Sequence, residues 1–562
     1  MKLLKTLYVM LFMMIASSAQ STQNPIKFLT DPFLQTPTQS AVHVIWFTEF
    51  QGDQHWVEWG PDLQYKTMAN SKLMSRIRHE IKDEAKNLIK NENSNVWRHE
   101  AIISDLSNHD RLPYRVVTAS NDTFITSSTF SFAPLPAAEK PLKILLTSDH
   151  QLKPMVAANL QKAAETIGAF DAVFFAGDLV EIPDGFEDWF SSPKSFFACL
   201  QGHANTVFGT TQYVGASIIQ NAPIFPAIGN HDVMGRYSLD GDLLSQFKNP
   251  YPRESVQKHF PDASPEELKN LSFNSDTYEE MFSLPLNPAG NNTYYAITVG
   301  DVRLVTLYAT RIWRSGLTTP TLRGKYQESV DTLTHPEKWG HGDFIFEPLE
   351  KGSPQYEWLV KELESDEFKN AKIKVVMLHN PLHTLGENAI PPYCDPIQTI
   401  HNDSNGNITN VTYEYPMAND VLIRDIEPLL EKHGVDLVFF GHSHIWNRFE
   451  SSGGMAYLET SNVGNSYGAY TSLNGIKRDT MVPAPNLPDY AELEDPNGLE
   501  PVMPTIAPLE NDQGKKLPFI SSNTISVFSV LDTGTRSIDS YYFDTEHPEK
   551  GVIKFDTFKL RE

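Results

Sequence analysis

The sequence has few cysteines, and it has far fewer basic than acidic residues. Cys199 and Cys394 are the only two cysteines in 562 residues, so no disulfide framework holds the chain together and a packed core must stabilise it. Their spacing does not determine whether they pair. The 46 basic and 70 acidic residues give a net charge of -24. This charge speaks against a nucleic-acid partner, because such proteins concentrate Lys and Arg on one face.

Long apolar runs are absent after the first twenty residues. The segment MKLLKTLYVMLFMMIASSAQ joins two lysines, an apolar run from Leu7 to Ala16, and small residues at Ser17 and Ala19. This pattern is typical of a secretory signal peptide, and the run is too short for a membrane span. We therefore predict a signal peptide over residues 1–19, no membrane span after its cleavage, and a secreted or periplasmic protein. An uncleaved N-terminal anchor is the alternative.

The part of the chain between residues 25 and 134 is predicted to be a β-sandwich. Segments such as SAVHVIWFTEF and LPYRVVTA alternate apolar and polar residues and are separated by turn residues. Several short strands within about a hundred residues favour two packed sheets. The charged segment from Ser71 to Asn93 interrupts the pattern, and we expect it to be a helix or a solvated loop.

The pattern changes to mixed α/β after residue 140. LKILLTSD and DAVFFAGD are predicted buried strands, and the amphipathic VAANLQKAAETIG lies between them as a helix. We assign residues 141–470 to a catalytic-type domain, and residues 471–562 to an insertion followed by C-terminal strands that complete it. The tail TISVFSVLDTGTRSIDSYYFD predicts a terminal hairpin. Long insertions at about 184–222, 236–292, 315–350, 386–418 and 465–520 are of the kind that shapes binding sites.

Side chains that can bind metals or transfer protons follow five of the predicted strands. They are Asp149 in TSDHQ, Asp178 in AGDLVE, Asn230, His231 and Asp232 in GNHD, His379 in VVMLHN, and His442 and His444 in GHSH. Each motif alone is more often a turn or a structural residue. Ligands of α/β sheets bind at the carboxyl ends of strands, where all five motifs fall. Residues i and i+2 of an extended chain share a side, so His442 and His444 are expected to converge.

This ordered series is similar to the motifs of calcineurin-like metallophosphoesterases. The chain as a whole resembles the purple acid phosphatases. RHEAIISDLSNHDRLPYRVV with FSFAPLP resembles their fibronectin-type β-sandwich, and QYEWLVKEL and HIWNR resemble segments of their catalytic domain. The resemblance covers most of the mature chain. It implies an α/β protein in which a fibronectin III-like β-sandwich precedes a metallophosphoesterase β-sandwich core flanked by helices.

The resemblance also implies a site with two divalent or trivalent metal ions, which are Fe, Zn or Mn. The expected ligands are Asp149 and His444 on one ion, Asn230, His379 and His442 on the other, and Asp178 between the two. Such a pair clamps a phosphoryl group and lowers the pKa of a bound water, so that the nucleophile is a metal-bound hydroxide.

Three further residues receive roles near the metals. His231 directly follows a ligand and is expected beside the metals as a general acid, with Asp232 orienting its imidazole. The alternative for His231 is a structural or phosphate-binding histidine. Arg448 is expected to meet substrate oxygens or a carboxylate, and a surface ion pair is the alternative.

The sequence departs from the purple acid phosphatase pattern at two positions. Glu181 stands where those enzymes have a tyrosine, so a purple iron centre is not expected. Gln151 stands where they have glycine and where other metallophosphoesterases have a histidine ligand. The amide oxygen of Gln151 is a candidate ligand that favours iron or manganese over zinc, and Glu181 is a weaker candidate. His150 is expected to point to the opposite side of the chain.

These features predict a secreted phosphatase that hydrolyses small-molecule phosphate monoesters. The alternative within the same chemistry is a phosphodiesterase or nucleotide hydrolase. A third possibility is a cell-surface binding protein with a degenerate catalytic domain, which the residues Gln151 and Glu181 favour. The sequence does not determine the natural substrate or the oligomeric state.

Overall fold

The N-terminal part of the chain consists of short antiparallel strands. The computed structural model describes residues 26–106, 111–134, 140–312, 327–328, 345–386, 391–476 and 494–561. The predicted signal peptide lies outside the described residues. The first strands are β1 (Phe33–Gln35), β2 (Val42–Thr48), β3 (Gln54–Trp59), β4 (Tyr65–Met68), β5 (Asn70–Leu73), β6 (Arg78–Lys82), β7 (Leu88–Asn93), β8 (Trp97–Ile103), β9 (Leu112–Ser120), β10 (Thr123–Thr126) and β11 (Phe130–Phe132).

These strands form two sheets that share one core. One sheet has the order β1-β2-β8-β5, and the other has the order β10-β9-β3-β4 with β11 paired to β9. Val44 and Trp46 of the first sheet lie in one apolar cluster with Val57 and Val116 of the second. The two sheets therefore pack face to face as a sandwich. Its more specific likeness to fibronectin domains remains a prediction.

The expectation for the charged segment from Ser71 to Asn93 is wrong. The segment contains β5 and the antiparallel hairpin β6–β7, and it is neither a helix nor a loop. The hairpin has a charged partner in the later, mixed α/β part of the chain, because Arg78 is completely buried and pairs with Asp184. The sequence pattern missed the hairpin, since period-two alternation fails where one strand packs against another domain.

The second part of the chain is mixed α/β, as predicted. Its strands are β12 (Lys143–Thr147), β13 (Ala172–Phe175), β14 (Thr206–Phe208), β15 (Thr211–Tyr213), β16 (Ile224–Pro226), β17 (Tyr295–Val299), β18 (Val302–Thr306), β19 (Gln327–Glu328), β20 (Ile373–Met377), β21 (Ile397–Asn402), β22 (Ile408–Glu414), β23 (Leu437–Phe440), β24 (Trp446–Glu450), β25 (Ala456–Thr460), β26 (Phe519–Ile520), β27 (Ile525–Asp532), β28 (Ser537–Asp544) and β29 (Val552–Lys559).

Two large sheets contain most of these strands. One has the order β16-β13-β12-β27-β28-β29, and the other has the order β17-β18-β20-β23-β25-β24-β26. The predicted terminal hairpin is present as β27–β28 and completes the first sheet through β12. Smaller sheets join β14 with β15, and β19 and β21 with β22.

Helices lie between and outside the sheets. They are α1 (Val156–Ile167), α2 (Phe196–Leu200), α3 (Leu243–Phe247), α4 (Arg253–His259), α5 (Pro265–Leu271), α6 (Asp276–Met281), α7 (Pro354–Leu363), α8 (Asp366–Asn370) and α9 (Glu427–Lys432). Residues at the helix ends determine where these helices begin and stop. The Ser353 side chain accepts the backbone N–H of Tyr356 at the start of α7, and Gly168 ends α1 with a φ of 85°.

The two large sheets pack on each other and bury a common core. Leu146 and Phe174 of the first sheet share a cluster with Val375 and Met377 of the second. The alternate residue Val376 faces the other way, into a second cluster that includes residues of α7 and α9. Apolar side chains on both faces explain why these strands are continuous hydrophobic runs.

Parallel strands occupy the centre of both sheets. Strand β13 pairs in parallel with β12 and with β16, and β20 pairs in parallel with β18 and β23. Their carboxyl ends are therefore where the loops of both sheets can meet.

Cys199 and Cys394 are both buried and unpaired. No helix in the described residues is both long enough and apolar enough to span a bilayer.

Candidate metal centre

The structure brings the predicted metal-binding residues together at the carboxyl ends of the parallel strands. Asp149, Asp178 and Asn230 follow β12, β13 and β16 of one sheet, and His379 and His442 follow β20 and β23 of the other. Most of these side chains are buried, while His442 is partly exposed. The site therefore lies on the seam between the two sheets and is accessible to solvent beside His442.

One group of donor atoms surrounds Asn230. The Nε2 atom of His379 lies 3.0 Å from Asn230 Oδ1 and 3.3 Å from Asp178 Oδ1. The Nδ1 atom of His442 lies 3.0 Å from the same Asn230 oxygen and 3.2 Å from His379 Nε2. Ligands that bind one ion at about 2.1 Å are about 3.0–3.4 Å apart. The spacing of these four atoms thus fits a single cation.

A second group lies on the other side of Asp178. The Nε2 atom of His444 is 3.3 Å from Asp149 Oδ1, and Gln151 Nε2 contacts Asp178 Oδ2. Ligating atoms of Asp149, Asp178 and His379 all lie within 4.8 Å of one another. Asp178 therefore directs Oδ1 toward His379 and Oδ2 toward Gln151, as a carboxylate shared by two cations would.

Backbone carbonyls determine which imidazole nitrogens face the site. His379 Nδ1 is 2.9 Å from the carbonyl oxygen of Ala176, and His444 Nδ1 is 3.0 Å from that of Asn465. A carbonyl only accepts hydrogen bonds, so both Nδ1 atoms carry a hydrogen. The Nε2 atoms of both rings consequently face the carboxylates, as they would to bind a cation.

The amide of Gln151 also fits a metal. Its Oε1 atom is buried and has no hydrogen-bond partner among the described residues. An unsatisfied buried carbonyl oxygen costs about 1–3 kcal/mol, so its presence beside Asp178 calls for an explanation. A cation bound there would satisfy it. The residues present therefore fit the predicted group.

The electrostatics of the cluster favour positive charge. Burial alone would raise the pKa of Asp178, but His379 and His231 hold it below its ordinary value. Burial alone would lower the pKa of His379, but Asp178 and Asp149 raise it to about 10. A proton thus occupies the His379 imidazole at the site when no metal ion is bound, and a metal ion would replace it.

The backbone of the site is strained, and this corrects one prediction. Of the fifteen non-glycine residues with positive φ in the described parts of the chain, five belong to the cluster: Asp149, Gln151, Asp178, His442 and His444. Such values are uncommon and concentrate at functional sites. With φ values of 80° and 58°, His442 and His444 do not lie on an extended chain. They reach the two groups of donor atoms through a left-handed turn.

Two glycines of the motifs allow this close approach. A Cβ atom on Gly229 would lie 2.2 Å from Asp178 Oδ1, and one on Gly441 would lie 2.3 Å from Asp149 Oδ2. Both contacts are far shorter than any side chain tolerates. The glycine before each ligand thus leaves room for a carboxylate from another strand.

His231 lies beside the cluster and is positioned differently from the prediction. Its Nδ1 atom is 2.8 Å from the backbone carbonyl oxygen of Glu181, its ring packs on Phe247 with centroids 4.8 Å apart, and its backbone N–H donates to Asp178 Oδ1. The Glu181 carbonyl, and not Asp232, orients the imidazole.

Asp232 binds backbone groups of two loops. Its carboxylate accepts the backbone N–H groups of Asp178, Leu179 and Gly229 at 2.8, 3.0 and 2.8 Å. It therefore holds the loop after β13 against the loop after β16. The prediction that Asp232 orients His231 is wrong, because the carboxylate is fully used by backbone donors.

Arg448 is not at the site. The residue is 2% exposed, its Nε is 3.0 Å from Asp556 Oδ2, and its guanidinium lies over the ring of Phe558. Arg448 therefore forms a buried ion pair, and it makes neither a substrate contact nor a surface ion pair. The carboxylate that Arg448 meets comes from β29, more than a hundred residues later in the sequence, and no local pattern could have identified it.

Glu181 and His150 lie beside the donor atoms without joining them. The Glu181 carboxylate forms an ion pair with Lys153, at 3.0 Å between Oε2 and Nζ. His150 is buried against Phe175 and hydrogen-bonds to Thr147 Oγ1 at 3.0 Å. Both side chains therefore have partners of their own.

Sequence reasoning missed Glu459, which holds the loop that carries His442 and His444. Its buried carboxylate accepts the Ser443 backbone N–H at 2.8 Å and hydrogen bonds from Thr384 and Asn447, each at 3.0 Å. Burial raises the pKa of Glu459 to about 8. A glutamate inside the apolar strand MAYLET was the available signal, because such a residue requires buried partners.

Comparison with known proteins identifies the domain. The family model "Calcineurin-like phosphoesterase" matches residues 142–446, which is more than half of the chain and includes every candidate ligand. Among solved structures, the chain is similar to a protein described as "GAP50 the anchor in the inner membrane complex of Plasmodium". The two share 12% sequence identity and a TM-score of 0.31 over 75% of this chain and 90% of that one. The comparison with curated proteins gives no match.

The family match includes strands of both large sheets and the buried cluster of Asp149, Asp178 and His379. It does not distinguish purple acid phosphatases from other members, so that resemblance remains a prediction. The chain belongs to the calcineurin-like phosphoesterase family and is a hydrolase that acts on phosphate esters.

Proposed function

We propose that the chain is a secreted phosphatase with a two-metal centre that hydrolyses phosphate monoesters. Support for two ions comes from the donor atoms, which form one group around Asn230 and another around Asp149 and His444, with Asp178 between them. The observation that carries the proposal is that these donor atoms lie close together at the seam between the two sheets. Secretion rests on the N-terminal segment of residues 1–19 alone.

The proposed ligands divide between two ions. Asn230, His379 and His442 would hold one ion, Asp149, His444 and Gln151 would hold the other, and Asp178 would contact both. When bound, two cations neutralise phosphoryl oxygens and lower the pKa of a water molecule that attacks phosphorus. The amide oxygen of Gln151 is harder than an imidazole, which favours iron or manganese in that position.

His231 is the proposed general acid. A carbonyl oxygen holds its Nδ1 hydrogen in either charge state, so the proton that leaves the imidazolium is the one on Nε2. That proton passes to the oxygen of the departing alcohol. Phe247 covers one face of the ring and limits its rotation, which keeps Nε2 directed toward the leaving group.

Metal analysis of ligand variants tests the proposal. We expect His379→Ala and Asn230→Ala to lose about one of two metal equivalents and at least about 100-fold in kcat/KM for p-nitrophenyl phosphate. Elemental analysis and steady-state kinetics measure the two effects. His203→Ala is the control, because this histidine is exposed and pairs with Asp31; it should keep both metals and full activity.

Three results would contradict the proposal. Full turnover by His379→Ala would remove the site from the reaction. A preference for bis(p-nitrophenyl) phosphate over the monoester would favour a phosphodiesterase. Wild-type protein that holds no metal after expression in metal-replete medium would favour a binding protein with a degenerate catalytic domain.

A further inference from the structure

A cavity of about 500 Å³ opens directly beside the candidate metal centre. Eight residues form its wall: Gln151, Glu181, Lys153, Lys194, Asn465 and Asn523 are polar, and Leu152 and Pro154 are apolar. Because Gln151 contacts Asp178, a phosphoryl group held at the metals would have this cavity next to it. The cavity is therefore the space available to the leaving group of the substrate.

The charge of the cavity wall is unusual for this protein. The chain as a whole carries a net charge of -24, yet two of the eight wall residues are lysines and one is a carboxylate. The Lys153 ammonium is mostly buried and its partner Glu181 is 37% exposed. Lys194 is partly buried and has no carboxylate within 4 Å in the described residues. Among the described residues, the wall thus carries one more positive charge than negative charge.

The two ammonium groups come from separate segments. Lys153 lies in the turn between β12 and α1, two residues after Gln151, and Lys194 lies in the loop just before α2. Asn465 and Asn523 add uncharged polar groups to the same wall. An anionic leaving group replaces water at both ammonium groups and gains more from such a lining than an uncharged one does.

We propose that this cavity is a subsite for a second phosphate, so that the substrates are diphosphates cleaved at the terminal phosphorus. The inference rests on the proposed function. One water oxygen bonds to the terminal phosphorus while the bond from that phosphorus to the bridging oxygen breaks. The bridging oxygen leaves with the inner phosphate and takes its proton from His231. The attacking water releases a proton to solvent, and His231 regains one from solvent. Orthophosphate and the inner phosphate are the products, and the electron pairs balance without an oxidant or reductant.

Tyr467 distinguishes an organic from an inorganic diphosphate. Its ring stacks on His444 with centroids 4.9 Å apart, and the residue is 68% exposed. The hydroxyl of Tyr467 accepts a hydrogen bond from the wall residue Asn465 at 3.4 Å, so a planar group attached to the inner phosphate can stack on the open face of the ring. Inorganic pyrophosphate has no such group and would not contact the ring.

The test uses the full-length, metal-loaded protein with three substrates: p-nitrophenyl phosphate, inorganic pyrophosphate and ADP. We expect Lys194→Met to lower kcat/KM for the two diphosphates, relative to that for p-nitrophenyl phosphate, by about tenfold. Lys153→Met should act in the same direction. The control is Lys361→Met, an exposed lysine of α7, which should keep the wild-type ratio. A Tyr467→Ala effect on ADP alone would identify the organic diphosphate as the substrate.

Binding supplies a readout that does not depend on turnover. Calorimetry with methylenediphosphonate, which is not hydrolysed, should show about tenfold weaker binding to Lys194→Met than to the wild type. Turnover of p-nitrophenyl phosphate with no Lys194 effect in either assay would overturn the subsite and leave the proposed function intact. Lys194-dependent binding without any turnover would support the subsite and overturn the proposed function. An equal loss on all three substrates would also overturn the subsite.

Discussion

At the scale of single residues, the hydrogen-bond and packing partners of each site residue decide what it does. His231 would be an ordinary histidine if its Nδ1 were not held by the Glu181 carbonyl and its ring were not covered by Phe247. These contacts fix the tautomer and the direction of Nε2. The candidate ligands His379 and His444 are held in a similar way by the carbonyls of Ala176 and Asn465.

The role of His231 leads to a prediction that separates acid catalysis from metal binding. We expect His231→Ala to keep both metals, because its imidazole is not among the donor groups. The value of kcat/KM should fall by about 10²–10⁴ for an alkyl phosphate, whose leaving group needs a proton. The fall should be much smaller for p-nitrophenyl phosphate. Kinetics on both esters, with elemental analysis of each preparation, measures this difference.

Two outcomes would contradict this role. An equal fall on both esters would mean that His231 binds phosphate and transfers no proton. Loss of a metal equivalent would mean that the His231 side chain supports a metal ligand.

At the scale of elements, the hairpin β6–β7 connects the N-terminal sandwich to the wall of the site. Arg78 of β6 forms an ion pair with Asp184 at 2.7 Å and donates to the Ser238 carbonyl. Glu80 of the same strand accepts the backbone N–H of Leu243, the first residue of α3. Helix α3 ends at Phe247, the residue that packs on His231. The sandwich therefore supports the segment that covers the proposed general acid.

This connection predicts a large cost for breaking the buried pair. Burial raises the pKa of Asp184 even with the guanidinium beside it, so the ionised carboxylate depends on Arg78. We expect Arg78→Met to lower the free energy of unfolding by about 3–5 kcal/mol, since it leaves a buried charge without a partner. Urea denaturation followed by circular dichroism measures the loss.

A surface pair of the same sandwich provides the matched control. Arg115 pairs with Glu58 at 2.7 Å but is 39% exposed, so Arg115→Met should cost about 1 kcal/mol or less. Equal losses in the two variants would show that the hairpin contributes no more than a surface contact.

At the scale of the whole molecule, buried ion clusters make stability depend on pH. His383 is 4% exposed and lies between two carboxylates, with Nδ1 2.9 Å from Asp495 Oδ2 and Nε2 3.0 Å from Glu427 Oε1. Burial alone would lower the pKa of His383, but these two partners raise it to about 9. The cluster joins three segments that are far apart in the chain.

The sign of the pH dependence follows from this shift. The folded pKa lies above the unfolded value of about 6.5, so the stabilisation is complete below about pH 6.5 and is lost as pH rises through about 9. We expect the unfolding free energy of the wild type to fall by about 3 kcal/mol from this group between pH 6.5 and 10. Denaturant midpoints at the two pH values measure the change.

A variant isolates the contribution of His383 from other titrations. His383→Gln removes the titrating group, so its midpoint should change less between the two pH values than that of the wild type. His203→Gln alters an exposed histidine and should retain the wild-type pH dependence. A pH dependence that is the same in all three proteins would contradict the assignment.

The sequence by itself determined the mixed α/β class, the terminal hairpin and the kinds of donor groups that follow the central strands. These features are local, because a continuous apolar run specifies a buried strand and the loop after it carries the ligand. Motifs such as GNHD and GHSH also contain the glycines that the close approach at Gly229 and Gly441 requires.

Only the tertiary structure decided which partner each side chain meets. Asp232 binds backbone groups of another loop, Arg448 pairs with Asp556, and the charged segment of β6 and β7 enters the second domain. His442 and His444 reach their positions through positive φ values that an extended chain would not have. Each of these outcomes depends on contacts between residues that are distant in the sequence, and local patterns contain no information about such contacts.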